Sequence, residues 1–104
     1  MEKMMKDITD VEYDNLKFKF KTPFRLFYVF KDNVYFYKIP ELSLFGYGND
    51  FIDMLNDFYE NIIMNWKIYV KNDENKLNKK ALELRKKFLE LLEEYWLMII
   101  FKSH

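Results

Sequence analysis

Four carboxylates follow one another at helical spacing in the middle of the chain: Asp50, Asp53, Asp57 and Glu60. Intervals of three and four residues bring them to one side of a helix, where they form an acidic ridge. Paired carboxylates can act as general acid and base, but no histidine, lysine cluster or metal-ligand set accompanies these four. We therefore expect no enzyme activity, no metal and no cofactor. The acidic ridge is interpreted as a solvated helix face or as a docking surface for a basic partner.

A pair of glycines, Gly46 and Gly48, stands just before the same helix. A Gly-x-Gly turn at a helix start can cradle a phosphate through its backbone N–H groups. Here Asp50 is the expected N-cap and Asp53 its capping-box partner, so two carboxylates occupy the positive end of the helix and would repel an anion. The glycines are therefore interpreted as turn or bulge residues.

Residues 17–21 read Lys-Phe-Lys-Phe-Lys and motivate a second hypothesis, the binding of single-stranded nucleic acid. Phe27 and either Tyr35 or Tyr37 would then be the platforms on which bases stack. Strict alternation, however, sends the lysines and the phenylalanines of residues 17–21 to opposite faces of a strand. This segment therefore cannot stack on bases and neutralise phosphates at the same time.

The composition excludes several classes of site. Lysine plus arginine and aspartate plus glutamate both number 17, and a net charge of zero argues against a general nucleic-acid or membrane-surface binder. The absence of cysteine excludes thiolate metal sites, disulfides and cysteine nucleophiles. The only histidine is the last residue, His104, where a catalytic or ligand role is not expected.

Length and hydropathy predict a single domain in a soluble, cytoplasmic protein. A chain of 104 residues is too short for two separate cores. Residues 1–10 lack the apolar core of a targeting signal and are expected to form a loose or partly helical lead-in. The longest apolar run, residues 95–101, is far too short to span a membrane, which takes about 20 residues. Aromatic residues make up 20% of the chain, which indicates that some lie in an interface.

The first half of the chain has the alternation of β-strands. Residues 16–21 form a strand with one wet face, and Thr22 with Pro23 is expected to end it, because proline cannot donate to a sheet. The strand predicted at residues 24–31 is apolar on both faces, which indicates that it is central in the sheet or covered by a partner. Asp32 and Asn33 have the chemistry of a hairpin turn. The further strands are expected at residues 24–31, 34–39 and 44–47.

Two long amphipathic helices follow. The first runs from about residue 51 to residue 70 and carries a broad apolar strip, which is typical of a helix lying on a sheet. The second begins at an Asn78 cap and forms a C-terminal extension over about residues 77–101. The sequence therefore predicts one α+β domain over residues 1–104. Its fold is a three- to four-stranded antiparallel meander followed by two helices, with the first helix packed on the sheet.

The end of the second helix has more apolar surface than one contact layer needs. Beyond Trp96 the polar face is lost, so this tail requires cover, and a neighbouring subunit is the first choice. We therefore expect a homo-oligomer, with a dimer preferred over higher states. The candidate oligomer interface consists of Tyr95, Trp96, Leu97, Met98, Ile99, Ile100 and Phe101.

A family resemblance rests on short motifs between about residues 24 and 66. They are Ile39-Pro40-Glu41-Leu42, Gly48-Asn49-Asp50 and Asp53-Met54. This arrangement resembles the HicB-like antitoxin family, in which two strands, a Pro-Glu-Leu turn, a short strand and a Gly-Asp-Thr motif precede a helix. Asn49 stands for the usual aspartate of that motif, and Asp50 stands for the capping threonine or serine.

The resemblance implies a partial RNase H-like fold without catalysis of its own. Family members bind and mask a small basic RNase toxin, a partner that the acidic ridge would suit. They often carry a C-terminal DNA-binding module, but neither a helix-turn-helix nor a ribbon-helix-helix pattern follows here, so DNA binding is not expected. The leading hypothesis is a non-catalytic, self-associating protein–protein interaction domain. The alternatives are a single-stranded nucleic-acid-binding module and a stand-alone structural dimer.

Overall fold

Strands make up the first half of the chain, and helices make up most of the second half. The computed structural model describes residues 3–94. The α+β class is confirmed, with an antiparallel meander followed by two helices. Short 3-10 turns occupy Pro40–Leu42 and Glu74–Lys76. The strands and helices are β1 (Lys3–Tyr13), β2 (Leu16–Lys31), β3 (Val34–Ile39), β4 (Leu44–Gly48), α1 (Phe51–Tyr69), α2 (Lys79–Leu91) and β5 (Leu92–Glu94).

Two aspartate–asparagine turns fold the first three strands into a meander. Asp32 and Asn33 have φ angles of 53° and 63°, so the predicted hairpin turn is confirmed. Asp14 and Asn15 repeat the same residue pair with the same two angles, and they join β1 to β2. Both residue types tolerate positive φ, because their short polar side chains hydrogen-bond locally.

The N-terminal segment is a strand, so the expected loose or partly helical lead-in over residues 1–10 is wrong for its described part. β1 pairs antiparallel with β2 from Lys3 to Tyr13. Its buried residues are Ile8 and Val11, and their spacing interrupts the alternation by which a strand is identified. The interruption has a structural cause, because the register of pairing shifts just after Ile8.

β2 continues through Thr22 and Pro23, where the sequence predicted that a strand would end. The pairing with β1 is interrupted there and resumes at Phe24, because the register shifts between Ile8 and Asp10 and leaves extra β2 residues opposite a short stretch of β1. Residues 21–23 are exposed. Pro23 therefore lies in a bulge, where its missing N–H group costs no hydrogen bond of the ladder.

The second helix ends earlier than predicted. α2 stops at Leu91, and Leu92 has extended backbone angles, with φ at −125° and ψ at 149°. β5 then pairs with residues 18–20 of β2, along the edge that β3 leaves open. Backbone groups at that edge gain partners from a strand and would gain none from a longer helix. The predicted helical extension over residues 77–101 is therefore wrong at residues 92–94.

Both helices lie on one face of the sheet, which we call the inner face. The apolar strip of α1 packs on the sheet as predicted, and the rings of Phe20 and Phe24 stack with Phe58 of α1 at centroid distances of 6.5 and 5.9 Å. Arg85 of α2 donates hydrogen bonds to the backbone carbonyls of Tyr69 and Val70 and so links α2 to the end of α1. The buried residues of α1 are Met54, Leu55, Phe58, Ile62, Ile63 and Trp66.

Candidate functional site

The acidic ridge lies on α1, and its first two members act at the start of the helix. Asp50 is the N-cap, because its Oδ1 accepts a hydrogen bond from the backbone N–H of Asp53 at 2.8 Å. This confirms the predicted cap. The Asp53 side chain is exposed in the first turn, where a negative charge is favoured by the helix dipole.

The third member, Asp57, is half-buried in a polar cluster between α1 and the sheet. The Tyr37 hydroxyl donates to Asp57 Oδ2 at 2.8 Å, and Asn61 Nδ2 donates to the Tyr37 hydroxyl at 2.6 Å. Asn61 Nδ2 also lies 3.3 Å from the backbone carbonyl of Phe45. Burial raises the pKa of Tyr37 far above its ordinary value; the Asn61 hydrogen bond opposes this rise and Asp57 reinforces it. The phenol therefore stays protonated and links β3 to α1 as a donor.

The fourth member, Glu60, lies beside the end of β1. Its negative charge raises the pKa of Tyr13, and smaller contributions come from desolvation, from Asp14 and from a hydrogen bond to Glu60 itself. Asp53, Asp57 and Glu60 together line an open groove of about 400 Å³ beside β4, which we call the acidic groove. The remaining residues of its lining are Tyr47, Gly48, Asn49 and Asn56.

The two glycines are neither turn nor bulge residues, so that interpretation is wrong. Gly46 and Gly48 lie within β4, and neither has a positive φ. A Cβ atom at Gly46 would collide with the Asp57 carboxylate and lie 2.6 Å from the Tyr37 hydroxyl. A Cβ atom at Gly48 would lie 2.7 Å from the Cα atom of Met54. Glycine is favoured at both positions because α1 passes directly over β4, and the restriction is stricter at Gly48, where the new Cβ atom would meet backbone.

The opposite face of the sheet, which we call the outer face, is not covered by α1 or α2 and exposes large apolar side chains. If a full side chain of this size has an area of about 200 Å², the exposed parts of these apolar side chains add up to roughly 500 Å². This area is near the upper end for the largest apolar patch on a soluble monomer. We call the set the aromatic face. Its members, with their exposed fractions, are Met5 (46%), Phe27 (45%), Phe36 (40%), Phe45 (76%) and Tyr47 (64%).

Cationic side chains stand among these rings. An open depression of about 910 Å³ on the outer face is lined by the aromatic residues together with Lys3 and Lys38. Lys3 Nζ lies 4.5 Å from the centroid of the Phe27 ring, at the distance of a cation–π contact. Lys38 stands directly opposite Phe45 in the register of β3 and β4. Aromatic rings and ammonium groups therefore share one surface.

The lysines of residues 17–21 have a different environment. The register places Glu12 opposite Lys17 and Asp10 opposite Lys19, and β5 adds Glu93 on the other side of Lys19. Opposite charges that face each other across strands attract and reduce the net charge of the surface. This half of the outer face is therefore close to neutral, although the sequence shows a run of lysines there.

Of the three stacking platforms that the sequence suggested, the outer face contains only Phe27. Tyr37 is 3% exposed, and Tyr35 packs on the inner face with its ring 6.2 Å from that of Phe51. Sequence reasoning did not single out the exposed rings on β3 and β4, although alternation within these two strands was the signal that identifies them. Those missed residues are Phe36, Phe45 and Tyr47.

The predicted oligomer interface lies outside the described residues. A dimer formed through it stays a prediction, and the same holds for the whole set of Tyr95, Trp96, Leu97, Met98, Ile99, Ile100 and Phe101.

Comparison with protein-family models, with curated proteins and with solved structures finds no match for this chain. The resemblance to HicB-like antitoxins therefore stays a prediction. Between residues 3 and 94, no helix is long and apolar enough to cross a membrane. Over the same range, no three side chains of histidine, cysteine, aspartate or glutamate come together in a way that could hold a metal ion.

Proposed function

We propose that this chain is a non-catalytic protein–protein interaction domain resembling a HicB-like antitoxin, which binds and masks a small basic RNase-type toxin and self-associates. The observation that carries the proposal is the acidic groove, where Asp53, Asp57 and Glu60 line an opening beside β4. β4 is the last strand of the meander, so the acidic groove follows an edge of the sheet. A basic surface is attracted to such a groove by complementary charge, which raises the rate of association and selects the partner.

The motif residues behind the family resemblance support the same proposal. Pro40 begins the 3-10 turn between β3 and β4, Gly48 allows α1 to approach β4 closely, and Asp50 caps α1. Each residue therefore helps to form the strand–turn–helix unit that presents the acidic groove.

The test begins with the reading frame beside the gene for this chain, which is expected to encode a small basic RNase-type protein. Expression of that protein alone should arrest growth, and co-expression of this chain should relieve the arrest and give a complex that copurifies. Asp53→Lys and Glu60→Lys should each weaken the complex by at least about tenfold, because a like charge then faces the basic partner. Glu83→Lys, an exposed carboxylate on α2, is the matched control and should leave the affinity unchanged.

The proposed toxin-binding function is wrong if no neighbouring frame encodes a basic protein, or if both groove variants bind as well as the control. Self-association is measured separately by size exclusion with light scattering on the full chain. We expect at least a dimer, and truncation after Tyr95 should shift it towards the monomer. A monomer at micromolar concentration with the tail intact contradicts the self-association proposal.

A further inference from the structure

The aromatic face differs in composition from the core of a protein–protein interface. Interface cores are depleted in lysine, because burying an ammonium group among apolar side chains is costly. Here Lys3 and Lys38 line the depression between the aromatic rings, and Lys31 is exposed on the same face. Glu41 is the carboxylate among the described residues of this lining. The surface therefore combines stacking area with an excess of positive charge.

The neutral total charge of the chain hides this local excess. Many of the carboxylates lie elsewhere: some form the acidic ridge on α1, and others stand opposite the lysines of residues 17–21. Near the rings, Asp7 pairs with Arg25 at 3.4 Å and so cancels one charge of each sign. Among residues 3–94, Lys3, Lys31 and Lys38 outnumber Glu41 on the half of the outer face that carries the rings.

We propose that the aromatic face binds single-stranded nucleic acid. Bases stack on the exposed rings of Phe36, Phe45 and Tyr47, and phosphates contact the ammonium groups of Lys3 and Lys38. Every base has a π-face, so this recognition tolerates many sequences. Neighbouring strands lie about 4.8 Å apart, and alternate residues of one strand lie about 6.7 Å apart, so the rings are spaced to meet successive unstacked bases. A duplex offers its bases already stacked on one another and does not fit this surface.

Fluorescence anisotropy of the full chain with labelled oligonucleotides tests the proposal. The probes are oligouridine and oligothymidine of about ten nucleotides, and a duplex of the same length. We expect saturable binding of the single-stranded probes at low salt and no saturation with the duplex. The difference in affinity between the ribose and deoxyribose probes distinguishes RNA from DNA as the ligand. Phe45 does not line the acidic groove, so Phe45→Ala should leave binding of the basic protein intact, and the two proposals can fail independently.

Two pairs of exposed variants locate the binding surface. Phe45→Ala should weaken binding by about fivefold to about 140-fold, which corresponds to the about 1–3 kcal/mol of one base–aromatic stack. Its control is Ile68→Ala, which removes another exposed apolar side chain, at 49% against 76% for Phe45, from α1 on the other side of the sheet. The slope of log affinity against log salt concentration is negative, and Lys38→Ala should make it less steep by about 0.7, the value for the loss of one phosphate contact. Lys67→Ala on α1 should leave the slope unchanged. Circular dichroism checks that all four variants are folded.

Three results overturn the proposal: no saturable binding of either single-stranded probe, equally tight binding of the duplex, or unchanged affinity in Phe45→Ala. The first of these results can be accompanied by a change of oligomeric state in Phe45→Ala. In that case the aromatic face is a protein–protein interface.

Discussion

Substitution of Gly48 by alanine tests whether α1 lies on β4 as closely as described. Gly48 is buried beneath the first turn of α1. A Cβ atom there would lie 2.6 Å from the carbonyl carbon of Asp53 and 2.7 Å from the Cα atom of Met54. Both are backbone atoms of a helix, so no change of rotamer relieves the overlap. The first turn of α1 must move away from the sheet.

Two opposing contributions determine how much Gly48→Ala lowers the free energy of unfolding. Overpacking a buried site costs about 1–3 kcal/mol, and the upper part of this range applies because backbone has to shift. Replacing glycine by alanine also restricts the unfolded chain, which stabilises the fold by about 0.4–1 kcal/mol. The net loss is about 2 kcal/mol. For a domain of this size, the melting temperature should fall by about 8–16 °C.

Thermal and urea denaturation followed by circular dichroism measure this loss. Gly46→Ala is an informative comparison, because its new Cβ atom would meet the side chains of Asp57 and Tyr37, which can rotate. Its cost should be smaller, about 1 kcal/mol for the disturbed hydrogen bond. Asn49→Ala, at an exposed position next to Gly48, should be nearly neutral. A melting temperature for Gly48→Ala within about 2 °C of the unsubstituted chain refutes the close packing of α1 on β4.

Two further substitutions probe the polar contacts of α1. Asp50→Ala removes the N-cap acceptor and should lower the free energy of unfolding, measured by urea denaturation, by about 1 kcal/mol. Asp50→Asn keeps an acceptor and should lower it less. Equal losses in the two variants contradict a capping role. Tyr37→Phe should change the pH dependence of stability. Burial raises the pKa of Tyr37 in the folded state. As the pH rises, the unfolded chain therefore releases this proton first, near the ordinary tyrosine pKa of 10.0. The contribution of Tyr37 to the free energy of unfolding is complete below that pH and declines above it. Urea titrations from neutral to alkaline pH should therefore show a shallower decline in Tyr37→Phe, and parallel declines argue against the buried phenol.

Several elements follow from local sequence rules. Alternation identified β3, β4 and both halves of β2, because side chains of a strand alternate between its faces. Asp32 and Asn33 marked the hairpin turn, and Asp50 marked the start of α1, because these side chains satisfy backbone geometry or backbone hydrogen bonds within a few residues. The apolar strip of α1 likewise predicted which side of the helix is buried.

Other elements depend on contacts between distant parts of the chain. β1 escaped prediction because a register shift against β2 disrupts its alternation after Ile8. β5 escaped prediction because residues 92–94 leave a helical pattern to pair with residues 18–20. Gly46 and Gly48 suggested turns, whereas their cause is the approach of α1, which lies outside any local window.

The candidate surfaces show the same division. The sequence alone determined the acidic ridge, because helical spacing fixes which side chains share a face. That Phe27 and the lysines of residues 17–21 share a face was decided by the structure, because β2 continues through Thr22 and Pro23, where the sequence predicted a break. Only the tertiary structure decided that carboxylates of β1 and β5 neutralise those lysines, and that rings from three strands gather around Lys3 and Lys38. The physical reason is that strand register, which depends on pairing across the sheet, determines which charges and rings become neighbours.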